Sequence, residues 1–211
     1  MGNGYRYCKV GATALSAGQL MQGPAPDALC TNKAIAATAS VGAKTVFVGM
    51  GAVSAAVDIL RDGILIINDA AGEGYHYKIE SNKAAAASST AELTLRDELM
   101  VALTTLSEAN AVPSQYNGIV VSTDSAILTG PVVGVTIVSA AASGYCWIQS
   151  KGLAPCLAEG SWVVGNRLTK GSAAGSLRPV TTGDTTFESY YGEVIRTVAA
   201  TEYGLVKLCI D

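Results

Sequence analysis

The stretch RDGILIINDAAGEGYHYKIESN, Arg61 to Asn82, joins two β signals through one turn signal. The aliphatic run Gly63 to Ile67 is punctuated by Asn68 to Gly74. A cleanly alternating run follows, with Tyr75, Tyr77 and Ile79 on one side and His76, Lys78 and Glu80 on the other. Alternation with period two marks a strand with one buried face. Asn and Asp turn the backbone through their own side chains, and Gly72 and Gly74 supply positive φ. The segment predicts a β-hairpin with a polar tip. Asp69 and Glu73 form the carboxylate pair that could flank a substrate, and His76 is the chain's single histidine. Their places, in a turn and on the polar face of a strand, favour capping and solvation over catalysis.

The same signals continue outward from this hairpin. Strands are expected at 44–49, 52–59, 63–68, 75–80, 92–96, 99–105, 118–123, 132–138, 145–150, 162–169, 176–181, 190–198 and 203–210. Turn clusters separate most of them, which is the spacing of a short-stranded β-sandwich or barrel rather than of βαβ units. In the last strand Val206, Leu208 and Ile210 share one face, and Leu205, Lys207 and Cys209 the other. SNKAAAASSTAE is expected to be a loop or one short turn, because Ser and Asn compete for the backbone. TLRDELMVALTTLSEANAV carries leucines near a 3.6 period together with strand-forming Thr and Val, and stays open between helix and strand. No repeat at a fixed period is visible.

Residues 1–40 read differently. Leu15, Leu20, Met21, Leu29 and Ile35 are spaced irregularly among Gly, Ala, Ser and two prolines, Pro24 and Pro26. A floppy terminus and an extended arm that orders on a partner both fit that composition. The expected division is therefore an extended N-terminal arm (1–40), a β domain (41–125) and a C-terminal β domain (126–211), giving a mainly β body. The internal boundary falls near Pro113, Gly118, Gly130 and Pro131.

Composition narrows the function. The 211 residues are 49% hydrophobic and 15% charged, with 23 glycines, which excludes a disordered chain and a helical bundle. So little charge suggests that a partner covers part of the surface. A net charge of −3 argues against a nucleic-acid binder. No apolar run is long enough for a helical membrane span, and the start lacks the apolar core of a secretory signal. The five cysteines (Cys8, Cys30, Cys146, Cys156, Cys209) contain no C-x-x-C and are expected to be free thiols, with Cys146–Cys156 the one pair close in sequence. No metal or cofactor is expected.

Two further patterns compete with these conclusions. Thr45 to Val48 leads into Gly49-x-Gly51, and Asp69 follows about twenty residues on, the order of a dinucleotide-binding unit. Ser54 stands where the third glycine belongs, and no βαβ alternation follows, so a tight turn is the better account. Tyr145, Trp147 and Trp162 could form a carbohydrate or peptide platform, although Trp147 between Cys146 and Ile148 suits the edge of a core. Tyr190 and Tyr191 could cover an interface.

Several phrases together resemble virion structural proteins of tailed bacteriophages, of the capsid decoration or cement type. They are GQLMQGPAP (18–26), VGAKTVFVGMGA (41–52), DGILIINDAAGEGYHYKI (62–79), VALTTLSEANAVPSQYNGIVVS (101–122), PVVGVTIV (131–138), SGYCWIQSKGLAPCLAEGSWVVGNRL (143–168) and TEYGLVKLCI (201–210). The resemblance implies a β-tulip-like, non-enzymatic protein of the capsid surface, made in the host cytoplasm. It implies a homotrimer bridging subunits of the major capsid protein, with no catalytic, cofactor-binding or metal-binding residues. A tail, fibre or adhesion module is the alternative, and a nucleotide-binding enzyme a third.

Overall fold

The computed structural model describes residues 2–25, 31–124, 127–181 and 189–210. Among them the regular structure is all β, with barrel-like sheets and no helix. The chain opens with β1 (Gly4–Val10) and β2 (Leu20–Gln22). It continues through β3 (Lys33–Ala34), β4 (Thr45–Gly49), β5 (Ile64–Asp69), β6 (His76–Asn82), β7 (Thr90–Leu95) and β8 (Glu108–Val112). Next come β9 (Asn117–Val121), β10 (Val132–Thr136), β11 (Tyr145–Leu157) and β12 (Arg167–Lys170). The last three are β13 (Leu177–Pro179), β14 (Gly192–Val194) and β15 (Tyr203–Cys209).

The division of the chain is nested. Residues 26–114 form one unit, inserted into another built from 1–25 and 115–211. The boundaries expected at 40 and 125 are thereby corrected. So is the arm. Cys8 and Val10 of β1, together with Leu15, Leu20, Met21 and Ile35, are all buried, because β1, β2 and β3 pair with later strands. Leu29, Pro26 and Cys30 lie outside the described residues.

The inserted unit has strand order β3-β8-β5-β6-β7-β4. A bridge between Ile35 and Val48, with Ala36 N–H donating to Phe47 O at 2.7 Å, brings the two edges together. Closure removes the open edges that would otherwise template aggregation. Every second residue of the long strands points inward: Val46 and Val48, Leu65 and Ile67, Tyr77 and Ile79, Leu93 and Leu95, Ala109 and Ala111. The hairpin read from Arg61–Asn82 is β5–β6, with Leu65 opposite Tyr77 and Ile66 opposite His76.

In the outer unit the thirteen-residue β11 serves two rings. Its first half pairs with β1 and β10, and β1-β9-β2-β10-β11 closes back on β1. Its second half pairs with β15, and the order β15-β14-β12-β13 returns to the end of β11 through a parallel bridge between Ala158 and Leu177. One core gathers Cys8, Val10, Met21, Ile119, Val133, Cys146 and Ile148. The other gathers Leu20, Val135, Ala154, Cys156, Trp162, Leu168, Val194 and Val206. Neighbours Leu20 and Met21 thus face different cores, as adjacent residues of a strand must. Where β11 passes from β1 to β15, Gly152 has φ +92°, and a Cβ there would strike Asn3.

One corner recurs through both units. Four bridges, Leu15–Ala140, Ala39–Leu103, Ala55–Ala85 and Trp162–Val198, pair residues that each lead into a tight turn before a strand. In seven of the eight turns the third residue after the bridge has positive φ and is Gly18, Gly42, Asp58, Ser88, Ser143, Gly165 or Thr201. The following N–H closes an i to i+3 bond in most, as in Gly144 to Ala141 O and Asn166 to Val163 O. That combination is a type II turn. Three expected strands are corrected on this basis: 52–59 and 99–105 are corners, and Trp162 to Asn166 is a corner preceding β12. The open segment 94–112 is the end of β7, a turn, a corner and then β8, without helix.

Candidate interaction surface

The enzyme-like residues do not converge. Asp69 Oδ1 accepts the N–H of Ala70 in its own turn at 2.7 Å, while Glu73 and His76 are exposed. Gly49 ends β4 opposite Thr90, and β4 and β5 are not neighbours, so no dinucleotide-binding crossover forms. Among the described residues no three His, Cys, Asp or Glu side chains are placed to hold a metal. No helix of the described residues is long and apolar enough to cross a membrane.

The aromatic candidates separate. Trp162 is fully buried and belongs to a core. Tyr191 packs against the same core, and Tyr190 lies beneath the Arg167 guanidinium, 5.6 Å from its ring centre. Trp147 is corrected in the opposite direction: it is 52% exposed, as are Tyr7 (57%) and Tyr145 (61%). The edge-of-core reading failed because β11 is apolar on both faces. Cys146 and Ile148 took the interior and Trp147 the exterior.

These rings form a cluster. Tyr7 and Trp147 are directly opposite across β1–β11, with ring centres 5.2 Å apart. Tyr7 also stacks with Tyr145 at 5.5 Å, the rings nearly parallel at 4°. Such cross-strand aromatic pairs stabilise the ladder by about 0.5–1.5 kcal/mol beyond their area. Tyr5 adds a fourth exposed ring on the same side. The missing sequence signal was the partner strand: Tyr5 and Tyr7 stand in a segment expected to be an arm.

The face continues along β11 onto β15. Leu153 and Pro155 oppose Lys207 and Leu205, Leu157 opposes Tyr203, and Leu153, Leu205 and Tyr203 are exposed. Tyr203 and Pro155 also line an open recess with Ser16, Ala17, Gly18 and Ser139. Four half-exposed rings present on the order of 400 Å². With Leu153, Leu205 and Tyr203 the patch reaches roughly 600 Å², the upper end for a typical monomer. Lys9 opposite Tyr145, Lys151 opposite Cys209 and Lys207 place cations among these groups, and Glu193 opposite Lys207 is the acid of the same ladder. A chain of net charge −3 therefore shows a cationic, aromatic face.

No family model matches the chain, and no curated protein or solved structure matches it.

Proposed function

We propose that this chain is a non-enzymatic structural protein of a tailed-phage virion, of the capsid decoration type, which binds the outside of the head and bridges major capsid subunits. The observation that carries the proposal is the outward face of β1, β11 and β15, with Tyr5, Tyr7, Tyr145, Trp147 and Leu153 exposed. It adds to the sequence resemblance and to the low charge of the chain. A patch near 600 Å² approaches the roughly 800 Å² that each partner contributes to a standard interface. Its lysines suit an acidic partner surface. A protein that binds only the assembled shell stabilises that shell in proportion to occupancy, and a trimer on a symmetric lattice gains avidity.

Co-sedimentation with undecorated heads tests this. Wild-type protein should pellet with heads, and the Tyr7→Ser/Trp147→Ser variant, checked for folding by circular dichroism, should do so at far lower occupancy. Wild-type protein that stays in the supernatant would refute decoration, and a folded variant that binds equally would move attachment to another face. The same ring cluster favours a second reading, an adhesion module of the tail or fibre whose rings stack on a glycan. Binding to host cells that is lost after enzymatic removal of surface glycans would support it.

A further inference from the structure

Cys8 and Cys146 are direct partners across the β1–β11 ladder, and both are buried in the same core. Val10 N–H donates to Gly144 O at 2.8 Å, while Lys9 N–H turns away to Tyr116 O at 2.9 Å. Hydrogen-bonded and non-hydrogen-bonded pairs alternate along an antiparallel ladder. Cys8–Cys146, two residues from Val10–Gly144, is therefore of the hydrogen-bonded kind, with Cα atoms about 5.5 Å apart. Disulfides accept Cα separations of about 4.4–6.8 Å. Residues directly opposite one another share a face, so both thiols enter the same interior.

The other described thiols are placed differently. Cys156 follows Cys146 on the same strand at roughly 3.3 Å per residue, so the two cannot meet and the pairing suggested by sequence proximity is excluded. Cys209 is exposed on β15. All four described cysteines are free thiols in this structure. Burial first, and then the neighbouring Cys146 thiol, push the Cys8 thiol up to about 12.

We propose that Cys8 and Cys146 are a latent disulfide site, which closes under oxidising conditions and staples the first strand to the central strand β11. The oxidant is a low-molecular-weight disulfide such as oxidised glutathione. One protein thiolate attacks a glutathione sulfur and expels the first glutathione thiolate, leaving a mixed disulfide. The second protein thiolate attacks the protein sulfur of that bond and expels the second glutathione. Two protein thiols are oxidised, one glutathione disulfide is reduced to two thiols, and the two protons lost by the cysteines end on the glutathiones. Because the thiolate is the attacking form, a buried thiol held near 12 reacts slowly. The bond therefore forms as the end of β1 opens or before it docks. Hydrogen-bonded pairs are wide at Cβ for an S–S bond, so closure draws the strands together and leaves the bond readily reducible.

The test is incubation of the native full chain with oxidised glutathione, alkylation of the remaining thiols, and peptide mapping without reductant. The expected product is a cross-linked peptide pair containing Cys8 and Cys146, with a raised unfolding temperature that dithiothreitol reverses. Cys8→Ser and Cys146→Ser should each abolish both changes. Cys8 or Cys146 joined instead to Cys30, Cys156 or Cys209, glutathione adducts at Cys209 alone, or no oxidation would each overturn the proposal. The mapping of the wild-type chain decides the matter even if a serine variant fails to fold.

Discussion

Replacing Glu159 with Gln should loosen the second ring of the outer unit, with an effect that disappears in acid. Glu159 follows β11, and its N–H donates to Leu177 O at 2.8 Å where that ring closes. Its carboxylate gathers the loop between β12 and β13. Oε1 accepts the Ser172 hydroxyl at 2.6 Å, and Oε2 accepts the Ala173 N–H and the Ser176 hydroxyl, both at 2.7 Å. Partial burial works against the charge, but these hydrogen bonds outweigh it and hold the carboxyl down to about 2 from an ordinary 4.5. Fully expressed, that lowering corresponds to about 3 kcal/mol of pH-linked stability. Solvent screening of a half-exposed group reduces the expectation to about 1–2 kcal/mol. A carboxyl whose folded-state value is depressed stabilises above its unfolded value, so the contribution is complete above 4.5 and is lost as pH falls towards 2. Glutamine keeps one acceptor oxygen for the fixed Ala173 N–H and sets its N–H₂ against Ser172, whose hydroxyl donates to the carboxylate in the wild type and whose N–H favours its charge. Both tryptophans, Trp147 and Trp162, lie in the outer unit, so their fluorescence in urea reports its unfolding. Wild type should exceed Glu159→Gln by about 1–2 kcal/mol at pH 7, and the curves should converge towards pH 2.5. A difference that is absent at pH 7, or unchanged in acid, would refute the reasoning.

Gly204→Ala should destabilise the same unit by about 1–3 kcal/mol. A Cβ at Gly204 would lie 2.6 Å from two ring carbons of the fully buried Trp162 and 2.8 Å from Val198 Cγ1, and an indole cannot yield as a flexible chain would. Trp fluorescence during thermal unfolding checks this, and an unchanged midpoint would contradict it. Thr201→Gly should stabilise by on the order of 0.5–1 kcal/mol, since Thr201 holds φ +68° at an exposed corner. Its N–H bond to Ala158 O at 2.9 Å survives the change, so a lower midpoint would show that strain there is not the governing effect. Deleting residues 1–40 should unfold both units, because it removes β1, β2 and β3. A native-like circular dichroism spectrum with cooperative melting would restore the arm reading.

The β5–β6 hairpin was legible because nothing interrupts its alternation and its turn uses Asn, Asp and Gly. The corners were not, and the reason lies at their tips. Val41, Val57, Val163 and Val164 are exposed turn residues. Apolar turns merge with the strands around them, which is why AVSAAVDI and SWVVGNRL read as strands. The first strand was hidden differently. GYRYCKV places tyrosines outward and one cysteine and one valine inward, so neither face looks like a core until β11 is set beside it.

That pairing also explains the candidate surface. In β11 the inward residues Cys146, Ile148, Ala154 and Cys156 and the outward residues Tyr145, Trp147 and Leu153 are both largely apolar. A strand apolar on both faces is normally one covered on both faces. In this chain the inward side is covered by the two cores, while the outward side has no cover among the described residues. The excess of apolar side chains on β11 is therefore greater than folding within one chain requires, and the decoration role proposed above would give that face a partner to cover it. The exposed valines of the corner tips extend the same imbalance into the inserted unit. Low charge, exposed apolar turns and an uncovered aromatic face are the three features on which the proposed role in assembly rests.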